Sequence, residues 1–251
     1  MTVVVDIGNA RIKWARVEDG NLLSPGQASH RDNPEQALES LIRALPGQVG
    51  RVVATNVAGK KMGSRFTALV NDHWGRQAEF IESMARQFGV TCAYAEPRRL
   101  GADRWVALLA ARHLAAESAC VIDAGTAVTL DAVDGAGQHL GGLIMAGPRL
   151  VAAALDRQTS DIGPTVAPHE VPHGLALLGC STEQAVAHGA MLALASAVDR
   201  AVAVVTEELN AKPLVFVTGG EGRSLLPWLA TKVQYRAHLV LEGLALISGN
   251  S

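Results

Sequence analysis

The sequence predicts an α/β fold made of two similar halves, and three observations lead there. A segment near the start, Val4-Val5-Asp6-Ile7-Gly8-Asn9-Ala10, returns near the middle as Val121-Ile122-Asp123-Ala124-Gly125-Thr126-Ala127. Each copy is followed by a second strand-like run, Ile12 to Val17 and Val128 to Val133, closing in an Asp-Gly turn signal at Asp19-Gly20 and Asp134-Gly135. The order strand-strand-strand, then helix and strand, occurs twice along the chain. The predicted domains are 1–118 and 119–251. No flexible linker composition separates them, so the halves are expected to be rigidly joined with a cleft between.

In the first half, strands are predicted at Thr2–Ile7, Ile12–Val17 and around Leu22–Ser29. Pro34 to Leu45 has helical spacing of Ala37, Leu38, Leu41, Ile42 and Leu45, with Asn33 as cap and proline in the first turn. Arg51–Asn56 reads as a buried strand, Gly63–Trp74 as a helix, Ala78–Ile81 as a short strand and Ala102–Ala116 as a strong helix. In the second half, strands are expected from Ala119, through Val128–Val133 and at Gln138–Ile144, with a short helix at Pro148–Leu155. Thr159–Gly179 is rich in Pro, Gly and His and reads as an ordered loop. A long apolar helix at Thr182–Leu209, a strand at Leu214–Thr218 and helical stretches at Ser224–Leu229 and Val240–Ile247 complete the half.

Composition narrows the function classes. With 49% hydrophobic and 18% charged residues, the chain describes a well-packed soluble globule. A net charge of −2 supplies no basic excess for a nucleic-acid surface, and 4% aromatic residues supply no stacking platform. Cys92, Cys120 and Cys180 are few and far apart, which reads as reduced thiols in a reducing cytosol. The N-terminus enters a strand directly, so no signal peptide is expected. No run of 18 or more apolar residues is seen, so no membrane span is expected.

The repeated hairpins carry the chemistry. Glycine lets the main chain approach a phosphate, and the N–H groups of such a turn are uncharged donors. Asp6 and Asp123 cannot bind phosphate directly, but either can hold a cation or its water. Two such clamps point to a nucleotide bound between the halves. Arg11 and Lys13 lie two apart and share one side of the second strand, where Lys13 can reach a terminal phosphate. Asp123 ends an apolar strand, so a buried carboxylate with a cation is expected there.

Other segments have both structural and chemical readings. Asp103 in Gly101-Ala102-Asp103-Arg104 is a capping residue, or a proton acceptor beside a guanidinium suited to a substrate carboxylate. Gly141-Gly142 and Gly147-Pro148 read as two turns around a short strand. Thr218-Gly219-Gly220 ends an apolar strand before a helix, and bare backbone there suits a nucleotide's base and ribose. Neither a G-x-G-x-x-G nor a P-loop motif occurs, which argues against Rossmann and Walker folds. His169 and His173 are four apart, but Pro168 and Pro172 break any helix that would pair them on a zinc ion.

With these residues in hand, the chain resembles the type III pantothenate kinase family of the actin-like ATPase superfamily, which also holds the acetate and sugar kinases. Asp6–Lys13 resembles its first phosphate motif and Asp123–Asp131 its second. Gly101–Arg104 matches GxDR, Gly141–Gly147 resembles GGxIxPG, and Thr218–Gly220 matches the adenosine-side TGG. The resemblance implies duplicated ribonuclease H-like domains with a nucleotide cleft, and transfer of the ATP γ-phosphoryl group to the primary hydroxyl of pantothenate, the first committed step towards coenzyme A. By similarity Asp103 is the general base, and Tyr94, Gly101, Ala102, Asp103 and Arg104 line the pantothenate site with Thr182. Asp6, Ile7, Gly8, Asn9, Ala10, Arg11, Ile12 and Lys13 wrap the phosphates of ATP, which Thr126, Gly219 and Gly220 also contact. Asp123 is expected to hold a monovalent cation, potassium or ammonium, while Mg²⁺ accompanies ATP near Asp6. A cytoplasmic homodimer with no nucleic-acid or membrane partner is implied.

Two residues depart from the family pattern. Ala10 stands where a Thr or Ser hydroxyl usually meets phosphate, so weaker ATP binding is expected. Ala146 stands where the second turn usually has proline, which is expected to loosen that turn. Neither removes the base or the cation site, so catalysis is expected. The alternatives are a non-catalytic ATP-binding regulator that kept the kinase fold, motivated by Ala10, and a related small-molecule kinase.

Overall fold

The computed structural model describes residues 1–45, 47–158 and 171–249. The proline- and histidine-rich stretch lies outside the described residues as far as position 170, and His169 with it. By contacts the chain divides into two units, one of Met1–Leu114 with His238–Ser251 and one of Ala115–Ala237. The division differs from a cut at 118 in two respects: the break falls after Leu114, and the last helix groups with the first unit.

The first unit holds a sheet of five strands: β1 (Thr2–Ile7), β2 (Arg11–Glu18), β3 (Asn21–Ser29), β4 (Arg51–Asn56) and β5 (Ala78–Phe80), in the order β3-β2-β1-β4-β5. β1 and β2 pair antiparallel, as do β2 and β3, while β1, β4 and β5 run parallel. Asp19 and Gly20 both take positive φ (49° and 78°), the requirement of a two-residue hairpin turn. Helix α1 (Pro34–Ala44) starts where Asn33 Oδ1 accepts the N–H of Gln36 at 3.0 Å. Helix α2 spans Lys60–Trp74, one turn longer at its start than its apolar spacing predicts.

Val3, Val5 and Ile7 of β1 turn to one face and join Leu38, Leu41 and Phe66 in a core. Each such fully buried Leu or Phe contributes about 1.5–3 kcal/mol. Helices α3 (Ala102–Leu114) and α7 (Leu239–Gly249) are absent from that cluster; they pack on each other and on the sheet from its other side. β6 (Arg86–Gln87) and β7 (Val90–Thr91) form a small hairpin that no apolar pattern announced. The indole N–H of Trp105 in α3 donates to Gln87 Oε1 at 2.9 Å and ties the hairpin to the helix.

The second unit repeats the topology. Its strands are β8 (Ala119–Ala124), β9 (Ala127–Val133), β10 (His139–Ala146), β11 (Leu214–Thr218) and β12 (Gln234–Tyr235), in the order β10-β9-β8-β11-β12. β8 pairs antiparallel with β9 and parallel with β11, as β1 does with β2 and β4. Helices α4 (Pro148–Gln158), α5 (Thr182–Leu209) and α6 (Gly222–Leu225) complete it. α5 is long and apolar enough to cross a membrane by length and composition, with a mean hydropathy of 1.5 over 18 residues. Here its Met191, Leu194, Ala195 and Val198 face packs on Cys120, Ile122 and Leu130 as the core of the unit.

Two turn expectations are corrected. At Asp134-Gly135 the left-handed residue is Gly137 (φ 86°), because Asp134 Oδ1 accepts from both Ala136 and Gln138 N–H and lengthens the loop. Gly141 and Gly142 lie inside β10 rather than in a turn, and a register shift between His139 and Gly141 marks a bulge.

Candidate active site

In the first unit, the ladder places Asp6 opposite Lys13 of β2 on one side and Thr55 of β4 on the other. Cross-strand partners share a face, so the carboxylate and the ammonium stem are neighbours. Asp6 is only 7% exposed, and Thr55 Oγ1 donates to its Oδ1 at 2.9 Å. A carboxylate so buried needs such donors. Between the strands, Gly8 N–H donates to Arg11 O at 3.0 Å and closes a tight turn. The N–H groups of Asn9 and Ala10 at its tip have no intramolecular acceptor among the described residues. Arg11 and Lys13 are both half-buried.

A second group forms at the start of α3. Asp103 Oδ1 accepts the N–H of Arg104 at 2.8 Å, so this first-turn carboxylate satisfies an N–H at the start of its helix, yet it stays half-buried. Arg104 is buried, and its Nη1 donates to Tyr94 Oη at 3.3 Å. The chain before the helix is held by Ser83, whose hydroxyl donates to Leu100 O at 2.9 Å. A carboxylate, a guanidinium and a phenol thus gather at a helix N-terminus, which favours an anion.

The second unit assembles a third group at the ends of β8 and β11. Asp123 pairs in register with Thr218. It is half-buried, where a buried carboxylate was expected; of the two repeated aspartates Asp6 is the buried one. Gly219 takes φ +92°, and a Cβ on it would overlap Asp123 Oδ1 and Ala124 O. Glu221 N–H donates to Ala124 O at 2.8 Å, holding the Gly219-Gly220 turn against β8. Gly147 N–H donates to Thr126 O at 3.1 Å, and a Cβ at Gly147 would come within 2.5 Å of that oxygen. Asp123, Thr126, Gly147, Gly219 and Gly220 are therefore brought together. Thr182 is held by a different element, as the exposed first residue of α5. There Ser181 Oγ accepts Gln184 N–H at 3.3 Å, and hydrogen bonds from Ser181 and then its own backbone hold Glu183 below the usual carboxylate value.

Sequence reasoning missed Thr55, and it named Thr218 as the start of the Gly-Gly turn without pairing it with Asp123. Each threonine follows an apolar run, VVA in β4 and LVFV in β11, directly opposite the repeated aspartate. Aligning the fourth strand of each half as well as the first would have found both pairings. The two differ in one respect: Thr218 Oγ1 is buried with no hydrogen-bond partner among the described residues. An orphaned hydroxyl beside a carboxylate is an oxygen-donor set of the kind hard cations take.

Solved structures share this architecture. A protein of Campylobacter jejuni described as a Baf-family transcriptional activator superposes with a TM-score of 0.58 at 19% identity, covering 99% of this chain and 100% of that one. The activator of 2-hydroxyisocaproyl-CoA dehydratase from Clostridium difficile, solved with bound ADPNP, does so with 0.54 at 14% identity, covering 98% and 93%. With the repeated sheet order, these define an actin-like ATPase and sugar-kinase fold. The family model for type III pantothenate kinase matches residues 2–204. Type III pantothenate kinases of Nitrosococcus oceani and Halorhodospira halophila are 33% and 34% identical over 99% and 97% of this chain, and over 94% and 96% of theirs. The chain belongs to the type III pantothenate kinase family.

Proposed function

We propose that the protein transfers the γ-phosphoryl group of ATP to the primary hydroxyl of pantothenate, giving 4′-phosphopantothenate and ADP at the entry to coenzyme A synthesis. The observation that carries this reading is the repeated Asp-x-Gly hairpin, at equivalent sheet positions in two units of a chain that belongs to this kinase family. Phosphoryl transfer asks for positioning and charge neutralisation more than for covalent help.

The turn from Asp6 to Lys13 binds the phosphates through its tip N–H groups and Lys13. Thr126, Gly219 and Gly220 meet the nucleotide from the second unit. Asp103 accepts the hydroxyl proton as the alcohol oxygen attacks the γ-phosphorus and the bond to ADP breaks. Arg104, steadied by Tyr94, pairs with the pantothenate carboxylate, and Gly101, Ala102 and Thr182 complete that site. The donor sets fit cations: Asp6 for Mg²⁺ with ATP, and Asp123 with Thr218 for potassium or ammonium. Cations bound there neutralise phosphate charge.

The reading includes a homodimer, supported by exposed Leu143 and Ile144 on the edge strand β10, and a cytoplasmic location, supported by three unpaired cysteines. The test is release of ADP from ATP, Mg²⁺ and pantothenate in potassium or ammonium, compared with sodium. Turnover absent with pantothenate but present with a sugar or short hydroxy acid would transfer the assignment to another kinase of the same fold.

A further inference from the structure

His30 lies at the end of β3, buried to 7% exposure, and both its backbone and its ring are spent on the phosphate turn of the neighbouring hairpin. Its backbone N–H donates to Ala10 O at 3.1 Å. Its Nε2 lies 2.6 Å from Gly8 O. A carbonyl oxygen only accepts, so Nε2 carries the hydrogen. The preceding residue adds a third tie, Ser29 Oγ to Ala10 O at 3.4 Å. The carbonyls on either side of Asn9 are thus drawn back onto β3, while the N–H groups of Asn9 and Ala10 are left without an internal acceptor among the described residues. An anion-binding turn works only if its N–H groups are held outward before the anion arrives.

We propose that His30 is a positioning residue for nucleotide binding: its Nε2–H fixes the Gly8 carbonyl and with it the Asn9 N–H on the far side of the same peptide plane, while its backbone N–H anchors the turn at the Ala10 carbonyl, so that the Asn9 N–H faces the phosphates. The inference rests on reading Asp6–Lys13 as the phosphate clamp. It gives the clamp a rigid support in a sequence whose Ala10 has no hydroxyl to offer phosphate. His30 touches no substrate, so its effect falls on nucleotide affinity and leaves the pantothenate site alone.

The test uses the full-length protein with His30→Phe, His30→Leu and His30→Gln, and Lys13→Ala as a control on the clamp. Gln places an amide N–H close to the position of Nε2. Losing one such hydrogen bond is expected to raise KM for ATP, and the Kd for MgATP by calorimetry, about three- to tenfold in the Phe and Leu variants. KM for pantothenate stays fixed and Gln recovers most of the loss. A Gln variant as weak as Phe, or Phe and Leu variants that bind MgATP normally while Lys13→Ala does not, overturns the role of His30 and leaves the clamp standing. If Lys13→Ala also binds normally, the clamp reading fails as well. Should the Phe and Leu variants not fold, nitrogen-15 NMR of the wild-type imidazole decides: the Nε2–H tautomer is expected, and the Nδ1–H tautomer refutes the proposal.

Discussion

The hydroxyl of Thr55 donates to Asp6 across two parallel strands, and the equivalent hydroxyl, Thr218 beside Asp123, has no partner among the described residues. One sheet position, repeated, is satisfied in one unit and orphaned in the other. Thr55→Val therefore removes a hydrogen bond to a buried carboxylate and is expected to cost about 1.5–3 kcal/mol. Thr218→Val removes an unpaired buried hydroxyl and is expected to be neutral or stabilising in the absence of ligand. Urea unfolding of both variants, without potassium and nucleotide, checks the contrast. Equal losses would mean that the two hydroxyls do the same work.

Asp103 accepts a first-turn N–H of its helix as well as standing ready for a proton, so its variants must separate the two roles. Asp103→Asn keeps an oxygen for that N–H and loses the base. It is expected to lower kcat roughly 100-fold or more with little change in the melting temperature. Steady-state kinetics beside a thermal melt measure both.

His238 opens α7 beside Lys13. Partial burial, and then the positive charge of Lys13, push its pKa below 6.5, against a smaller opposite pull from Glu242. The unfolded chain takes up this proton near pH 6.5 while the native protein does not. The unfolded state then binds more protons, so stability falls as pH drops below about 6.5 and levels off once the native imidazole is also charged. His238→Gln is expected to remove that part of the slope. Urea midpoints between pH 5 and 8 for the two proteins test it.

The three cysteines differ in reach. Burial raises the Cys120 thiol to about 12, whereas Cys180 is exposed. Iodoacetamide at pH 8 is expected to label Cys180 and leave Cys120 unmodified until the protein is unfolded, as peptide mass spectrometry would show.

Gly219 is expected to tolerate no side chain. Alanine there meets both a positive φ and the Asp123 carboxylate, so Gly219→Ala is expected to destabilise by more than about 1 kcal/mol. It should also blunt the dependence on potassium if that ion sits at Asp123. Activity titrated with potassium and sodium chloride reads the second effect.

Much of this molecule was legible because the chain repeats itself. Apolar runs ending in Asp-x-Gly marked β1 and β8, and α5 between Thr182 and Leu209 showed as a long, mostly apolar helical stretch. Groupings that depend on register were not legible. Thr55 and His30 act through neighbours 49 and 22 residues away, and local pattern carries no trace of such pairings. The β6–β7 hairpin, two residues per strand, is too short to show any period. Asp134-Gly135 failed as a tight turn because the aspartate's own side chain captured two N–H groups and reshaped the loop.

The last helix, α7, lies on the sheet that the first residues build. A ribosome releases this chain from its N-terminus, so β1 to β5 are made long before the element that covers their second face. The Ala115–Ala237 unit, continuous in sequence, has all its parts earlier than the unit that precedes it. Its partner must wait for residues 238–249, which makes α7 a late stitch in the biogenesis of the sheet of β1 to β5.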